Sequence, residues 1–291
     1  MKRRMLTVMA AAMMVFAMTG CGSKETAAPA ETEAAAETTA EETAETADEG
    51  ERTSFTVGFD AEFPPYGFRD DNGEYVGFDL DLAQEVCNRQ GWELVKQPID
   101  WDAKDMELSS GAIDCIWNGF TVNGREEDYT WSIPYVDNSQ VFVVGADSGI
   151  AGKADLAGKI VGVQKESSAL AALEDEENQE NLDLAASFAD LVQYADYNTA
   201  FMDLEAGAID AVAMDIGVAN YQIGQRGEGQ FVILEDYLSS EQYAIGFLKG
   251  NDTLKDAVES TLLEMVEDGT FMEIAEKYAD YGVTDCVCLG K

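Results

Sequence analysis

An arginine and an aspartate, each just beyond an apolar run, carry the chemistry this sequence can do. Within 108–125 a helix end stops at Gly111 and an apolar run covers 113–117. Asn118 and Gly119 follow, then a hydroxyl at Thr121 and a guanidinium at Arg125. A strand that runs straight into polar groups is where open α/β sheets place a ligand, beyond the carboxyl ends of the strands. The phrase Leu108-Ser-Ser-Gly-Ala-Ile-Asp114 returns as Leu204-Glu-Ala-Gly-Ala-Ile-Asp210, 207 − 111 = 96 residues later from glycine to glycine. The second copy leads through 211–214 into a carboxylate, Asp215. One strand end offers a cation and the other an anion, an arrangement suited to a zwitterion held between two similar lobes.

The elements that must position these groups follow from period and punctuation. A first strand at 55–59 runs into Asp60-Ala-Glu-Phe-Pro-Pro-Tyr-Gly-Phe68, a proline-stiffened aromatic loop. Leu82, Ala83, Val86 and Cys87 sit at helical spacing, with Asp79 as N-cap and Gly91 as stop. A strand at 92–95 and a helix opening at Asp100 and Trp101 lead back to Gly111. Further strands are expected at 141–144, 160–163, 211–214, 231–234 and 243–247, with helices at 198–205 and 217–226. Ser167 and Ser168 cap the helix after 160–163, exposing N–H groups that suit an anion. Leu254, Val258, Leu262 and Met265 form a core-facing stripe, as do Phe271, Ile274, Ala275 and Tyr278. Alternating strands and helices predict an α/β class with two mostly parallel sheets.

Composition narrows the function. The 291 residues hold 18 basic against 57 acidic side chains, a net charge of −39. Nucleic acid and anionic lipid surfaces both require Lys/Arg-rich faces, so neither is a partner. With no histidine, Ser-His-Asp triads, Cys-His pairs and His-ligated zinc are excluded; carboxylate, lysine and cysteine chemistry stay open. Glu174-Asp-Glu-Glu177 reads as a solvated patch, so neither a metal nor a cofactor is expected. Cys87, Cys115, Cys286 and Cys288 are free to form disulfides outside the cell. Cys286 and Cys288 are too close to pair comfortably, and Cys115 reads as a buried thiol. A bridge from the C-terminal pair to Cys87 is the pairing left open.

The N-terminus reads as an export signal. Lys2-Arg3-Arg4 precedes an apolar run at 5–18, too brief to span a bilayer comfortably. Met18-Thr19-Gly20-Cys21 resembles a bacterial lipobox, in which the cysteine is acylated and becomes the first mature residue. Residues 1–20 are then the signal peptide. Residues 21–52 are the lipidated Cys21 and an Ala/Thr/Glu tether with too little apolar surface to offset its ordering entropy. A coil of that length reaches about 30 Å.

Several motifs together resemble a known family. Phe63-Pro-Pro-Tyr66, Gly73-Glu-Tyr-Val-Gly-Phe-Asp-Leu-Asp-Leu82, Gly111-Ala-Ile-Asp114, Asn118-Gly-Phe-Thr121 with Arg125, Asp155-Leu-Ala-Gly-Lys159, Gly207-Ala-Ile-Asp210 and Asp268-Gly-Thr270 occur in the order seen in family 3 extracellular solute-binding proteins. These serve ABC transporters for polar amino acids. The resemblance implies a type II periplasmic-binding-protein fold, two Rossmann-like lobes joined by a two-strand hinge. Lobe 1 is expected at 53–138 plus 241–291 and lobe 2 at 139–240, with hinges near 135–139 and 239–243.

By the same resemblance Arg125 receives a ligand carboxylate through its planar fork. Thr121 adds a hydroxyl, and Ser167 and Ser168 a hydroxyl and helix-end N–H groups from the other lobe. Asp215 takes the α-ammonium, with Asn118 and the Gly119 carbonyl beside it. Phe63 and Trp101 flank the ligand side chain, and Asp60 with Glu62 reaches its far end, favouring a cationic or amide group over an acidic one. The family usually has one more residue between its Thr and Arg than Thr121-Val-Asn-Gly-Arg125 provides, which shifts the guanidinium. The implied protein is a monomeric, non-enzymatic receptor, held by its lipid on the outer face of the cell membrane and handing an amino acid to a permease. Two alternatives on the same fold are a dehydratase-like enzyme for small carboxylates and a sensory ligand-binding domain.

Overall fold

The structure is a computed structural model that describes residues 52–227 and 229–291. The signal segment, Cys21 and the tether up to residue 51 lie outside the described residues.

Two sheets organise the chain. In the first the strand order is Glu93–Pro98, Ser54–Phe59, Cys115–Ile116, Gly246–Phe247, Thr130–Trp131. In the second it is Asp190–Tyr194, Ile160–Gln164, Ala211–Asp215, Val136–Gly145, Phe231–Ile233, with Ser239–Tyr243 also pairing to Val136–Gly145. The chain enters the second sheet along Val136–Gly145 and returns along Ser239–Tyr243. The two crossing strands pair antiparallel, with Ser239 opposite Gln140 and Tyr243 opposite Val136. This is the type II periplasmic-binding-protein architecture, two Rossmann-like halves joined by a two-strand hinge.

The sheets are more mixed than the expected mostly parallel ones. Parallel pairing is confined to the three leading strands of each, where a helix makes the crossover. Strands added near the crossing pair antiparallel, because Val136–Gly145 and Gly246–Phe247 enter their sheets from the crossing, against the direction of the leading strands. Central strands are buried on both faces, as in Ala211–Asp215, where every residue is buried. The edge strand Glu93–Pro98 alternates exposed and half-buried residues.

Three local expectations change. The helix Phe78–Gln90 starts two residues earlier than an Asp79 cap requires, with Gly77 as its cap at φ 140°. A Cβ on Gly77 would lie 2.2 Å from the Tyr66 carbonyl oxygen, so only glycine lets the loop pass that close. Asp79 is thereby carried inside, 0% exposed, and its carboxylate turns to a loop amide instead of its own helix. The stop at Gly91 is as expected, left-handed at φ 73°. The expected helix from Asp100 splits into a 3₁₀ turn, Trp101–Ala103, and a short helix, Lys104–Ser109. All four described cysteines are free thiols, with Cys87 and Cys115 buried. The bridge to Cys87 is absent: the C-terminal segment lies along the crossing strands, the Cys288 N–H donating to the Tyr135 carbonyl.

Candidate functional site

The carboxyl ends of the two sheets' strands face each other around the crossing strands. Arg125 reaches across from the first sheet. Its Nη1 donates to Ser168 Oγ at 3.0 Å and to the Thr121 carbonyl at 3.3 Å, and its Nη2 donates to the Glu166 carbonyl at 3.2 Å. The guanidinium also lies 5.4 Å over the Phe120 ring. Among the described residues it forms an ion pair with neither Glu126 nor Asp128. Ser167 caps the helix Ser168–Glu174, its hydroxyl accepting from the Leu170 N–H, which frees Ser168 to face Arg125.

Asp215 ends the central strand of the second sheet and precedes the helix Ile216–Arg226, yet its side chain caps nothing. It is 4% exposed. Its Oδ1 accepts from Asn138 Nδ2 at 2.8 Å, Gln140 Nε2 at 2.7 Å and the Tyr243 hydroxyl at 2.5 Å. Burial, then the nearby Glu241 charge, pushes its carboxyl up to about 7. The Thr121 hydroxyl donates to Glu241 Oε1 at 2.8 Å, so it is engaged by protein and not solely available to a ligand carboxylate.

The loop between these groups is fixed from behind. Asn118 Oδ1 accepts the Asp60 N–H at 3.0 Å, and the Gly119 N–H donates to Asp79 Oδ2 at 2.6 Å. Gly119 is left-handed at φ 57°, and a Cβ there would meet Phe63 at 2.8 Å and Tyr243 at 3.0 Å. Burial pushes Asp79 up to about 7.

A third group forms the far end. Phe63 and Trp101 lie nearly parallel, 5° apart with centroids 6.5 Å from each other, and Tyr197 approaches Phe63 at 6.0 Å. Asp60 Oδ2 accepts from Gln164 Nε2 at 2.7 Å across the two sheets, and burial pushes this carboxyl up to about 6. Next to it a cavity of about 580 Å³ is lined by Asp60, Glu62, Asp102, Asp196 and a single cation, Lys165. Its electrostatics are those of a cation site. Among the described residues no cluster of metal-ligating side chains occurs.

The positions singled out from sequence fall in two groups, Thr121, Arg125, Ser167 and Ser168, and Asp60, Glu62, Phe63, Trp101, Asn118 and Gly119, with Asp215 connected to Gly119 through Tyr243. Sequence reasoning missed Asn138, Gln140, Glu241, Tyr243 and Gln164. The signal for two of them was present, since Asn138 and Gln140 are two apart on a strand and so share one face.

Residues 55–281 match the bacterial extracellular solute-binding proteins, family 3. The L-cystine-binding protein TcyJ of Escherichia coli (strain K12) is 30% identical over 247 residues, 82% of this chain and 89% of that protein. The crystal structure of an ABC uptake transporter substrate binding protein from Streptococcus pneumoniae with bound histidine is 36% identical at a TM-score of 0.73, covering 77% of this chain and 92% of that one. An ancestral arginine-binding protein bound to arginine is 35% identical at a TM-score of 0.71, covering 79% and 99%. With the crossing strands, the opposed strand ends and this match over most of its length, the chain belongs to the family 3 bacterial extracellular solute-binding proteins.

Proposed function

We propose that this protein is a lipid-anchored receptor that takes a polar L-amino acid between two lobes and delivers it to an ABC transporter permease. The lobes are residues 53–138 with 241–291, and residues 139–240. One observation carries the reading: Arg125 stands on the loop that follows Cys115–Ile116 of the first sheet, Asp215 ends Ala211–Asp215 of the second, and Asp215 is buried with three donors but no cation among the described residues. An α-carboxylate suits the first and an α-ammonium the second. Each lobe alone meets half of a zwitterion, so ligand favours the closed form by its differential affinity.

The similar proteins named above bind cystine, histidine and arginine, which supports an amino-acid cargo. Asp60, Glu62 and Asp196 favour a cationic or amide side chain at the far end, with Phe63 and Trp101 as apolar walls. Thermal unfolding of protein beginning at Glu51, unfolded and refolded to strip carried-over ligand, tests the reading against a panel of L-amino acids. A ligand at 100 times its dissociation constant adds about 2.7 kcal/mol of stability. One or two amino acids should shift the transition upward, and Arg125→Ala and Asp215→Ala should each abolish that shift. A flat panel, or full shifts in both variants, contradicts the proposed site.

A further inference from the structure

Glu241 is a buried carboxylate that the zwitterion reading leaves without a task. It lies on the returning crossing strand and is 7% exposed. Asn138 Nδ2 touches Glu241 Oε1 at 2.7 Å and Asp215 Oδ1 at 2.8 Å. Gln140 Nε2 does the same, at 2.8 Å and 2.7 Å. Two amide groups therefore hold two acids side by side, and the other oxygen of each carboxylate accepts no hydrogen bond among the described residues. Around them the side-chain amide oxygens of Asn138 and Gln140 are buried without partners, and the Tyr197 hydroxyl lies beside Asp215. Such a setting is costly for two anions and lacks only a positive donor.

The other ionisable groups facing the pair do not relieve it. Tyr66, Tyr197 and Tyr243 are held well above their usual value by burial. Arg125 spends its fork on Ser168, Thr121 and Glu166. Resting on the receptor reading above, we propose that Glu241 is a specificity-determining residue of the ammonium end, a second carboxylate that shares the ligand's positive charge with Asp215 and rejects ligands without one. A consequence concerns protons. Where Asp215 holds a proton, an arriving ammonium displaces it to solvent, so binding near neutral pH releases protons to the buffer.

The test is isothermal titration of L-arginine, L-histidine, L-glutamine and L-cystine into the refolded protein, in two buffers of different ionisation enthalpy. The account expects release of up to about one proton per ligand at about pH 6 and almost none at about pH 8. Glu241→Gln keeps the shape and the acceptor for Thr121, Asn138 and Gln140. It should weaken binding about tenfold or more and move proton release to lower pH, a change that a purely structural role would not produce. Unchanged affinity and release in Glu241→Gln, or no release by the parent protein at either pH, overturns the proposal. If none of the four amino acids binds, the receptor reading fails separately. The Asp215 carboxyl resonance, followed by ¹³C NMR in the free protein, then decides: its midpoint should fall in Glu241→Gln, and an unmoved midpoint overturns the role of Glu241.

Discussion

Three carboxyls near the crossing strands, Asp60, Asp79 and Asp215, share one cause for their altered acidity. Each is buried, and burial disfavours the charged form more than their hydrogen bonds favour it. The sign of the resulting pH dependence is fixed by linkage. A carboxyl raised from 3.8 to about 7 in the fold binds more protons folded than unfolded, so the stability it contributes is present below about pH 4 and is lost as pH climbs through about 7. In the absence of ligand, the melting temperature should therefore carry a component that declines between about pH 4 and about pH 7. Asp215→Asn should flatten that decline, measured as Tm across the pH range in the parent and the variant. An equal or steeper decline in Asp215→Asn contradicts the assignment.

Asp79 shows how one buried side chain serves an element. From the first turn of Phe78–Gln90 it holds the Gly119 amide, and with it the backbone of the loop proposed to face the ligand. Gly119 is confined on its other side by Phe63 and Tyr243. Gly119→Ala adds a methyl where no space exists and strains a left-handed backbone, at a cost of about 1–3 kcal/mol. It should lower both stability and amino-acid affinity, checked by urea unfolding and calorimetry. Wild-type affinity in that variant would mean that the loop does not border the ligand.

The elements also show what a sequence can reveal. The helix Asp252–Asp268 was legible because Leu254, Val258 and Leu262 repeat at its period, and Gly91 was legible as a stop because left-handed backbone selects glycine. Arg125 and Asp215 were legible because each follows an apolar strand. Glu241 and Gln164 were not, since their partners stand 120 and 104 residues away in Thr121 and Asp60, and nothing local encodes such pairings. Asp79 misled for a related reason. Its position fits an N-cap, but burial against Gly119 outweighs the local preference. The mixed sheet pairing was equally hidden, because short strands such as Cys115–Ile116 and Gly246–Phe247 have too few residues to display a period.

At the scale of the whole molecule, the proposed function needs a means of staying at the membrane. A net charge of −39 disfavours adhesion to anionic lipid, so the proposed receptor would rely on the proposed covalent anchor. No described helix is long and apolar enough to cross one. If Cys21 carries the acyl chains, Cys21→Ala should abolish incorporation of labelled fatty acid and move the protein from the membrane to the soluble fraction while leaving amino-acid affinity unchanged. Continued labelling of the variant would rule out Cys21 as the anchor.

The central claim is that two opposed strand ends read the two charges of one zwitterion. Calorimetric titration with the best amino acid of the panel, beside its methyl ester and its N-acetyl derivative, tests it most directly. The ester removes the charge that Arg125 meets, and acetylation removes the one that Asp215 meets. Hydrogen bonds to charged groups contribute about 1.5–3 kcal/mol each, so each derivative should bind at least about tenfold more weakly than the parent amino acid. Equal binding of either derivative would contradict the account at the charge it lacks.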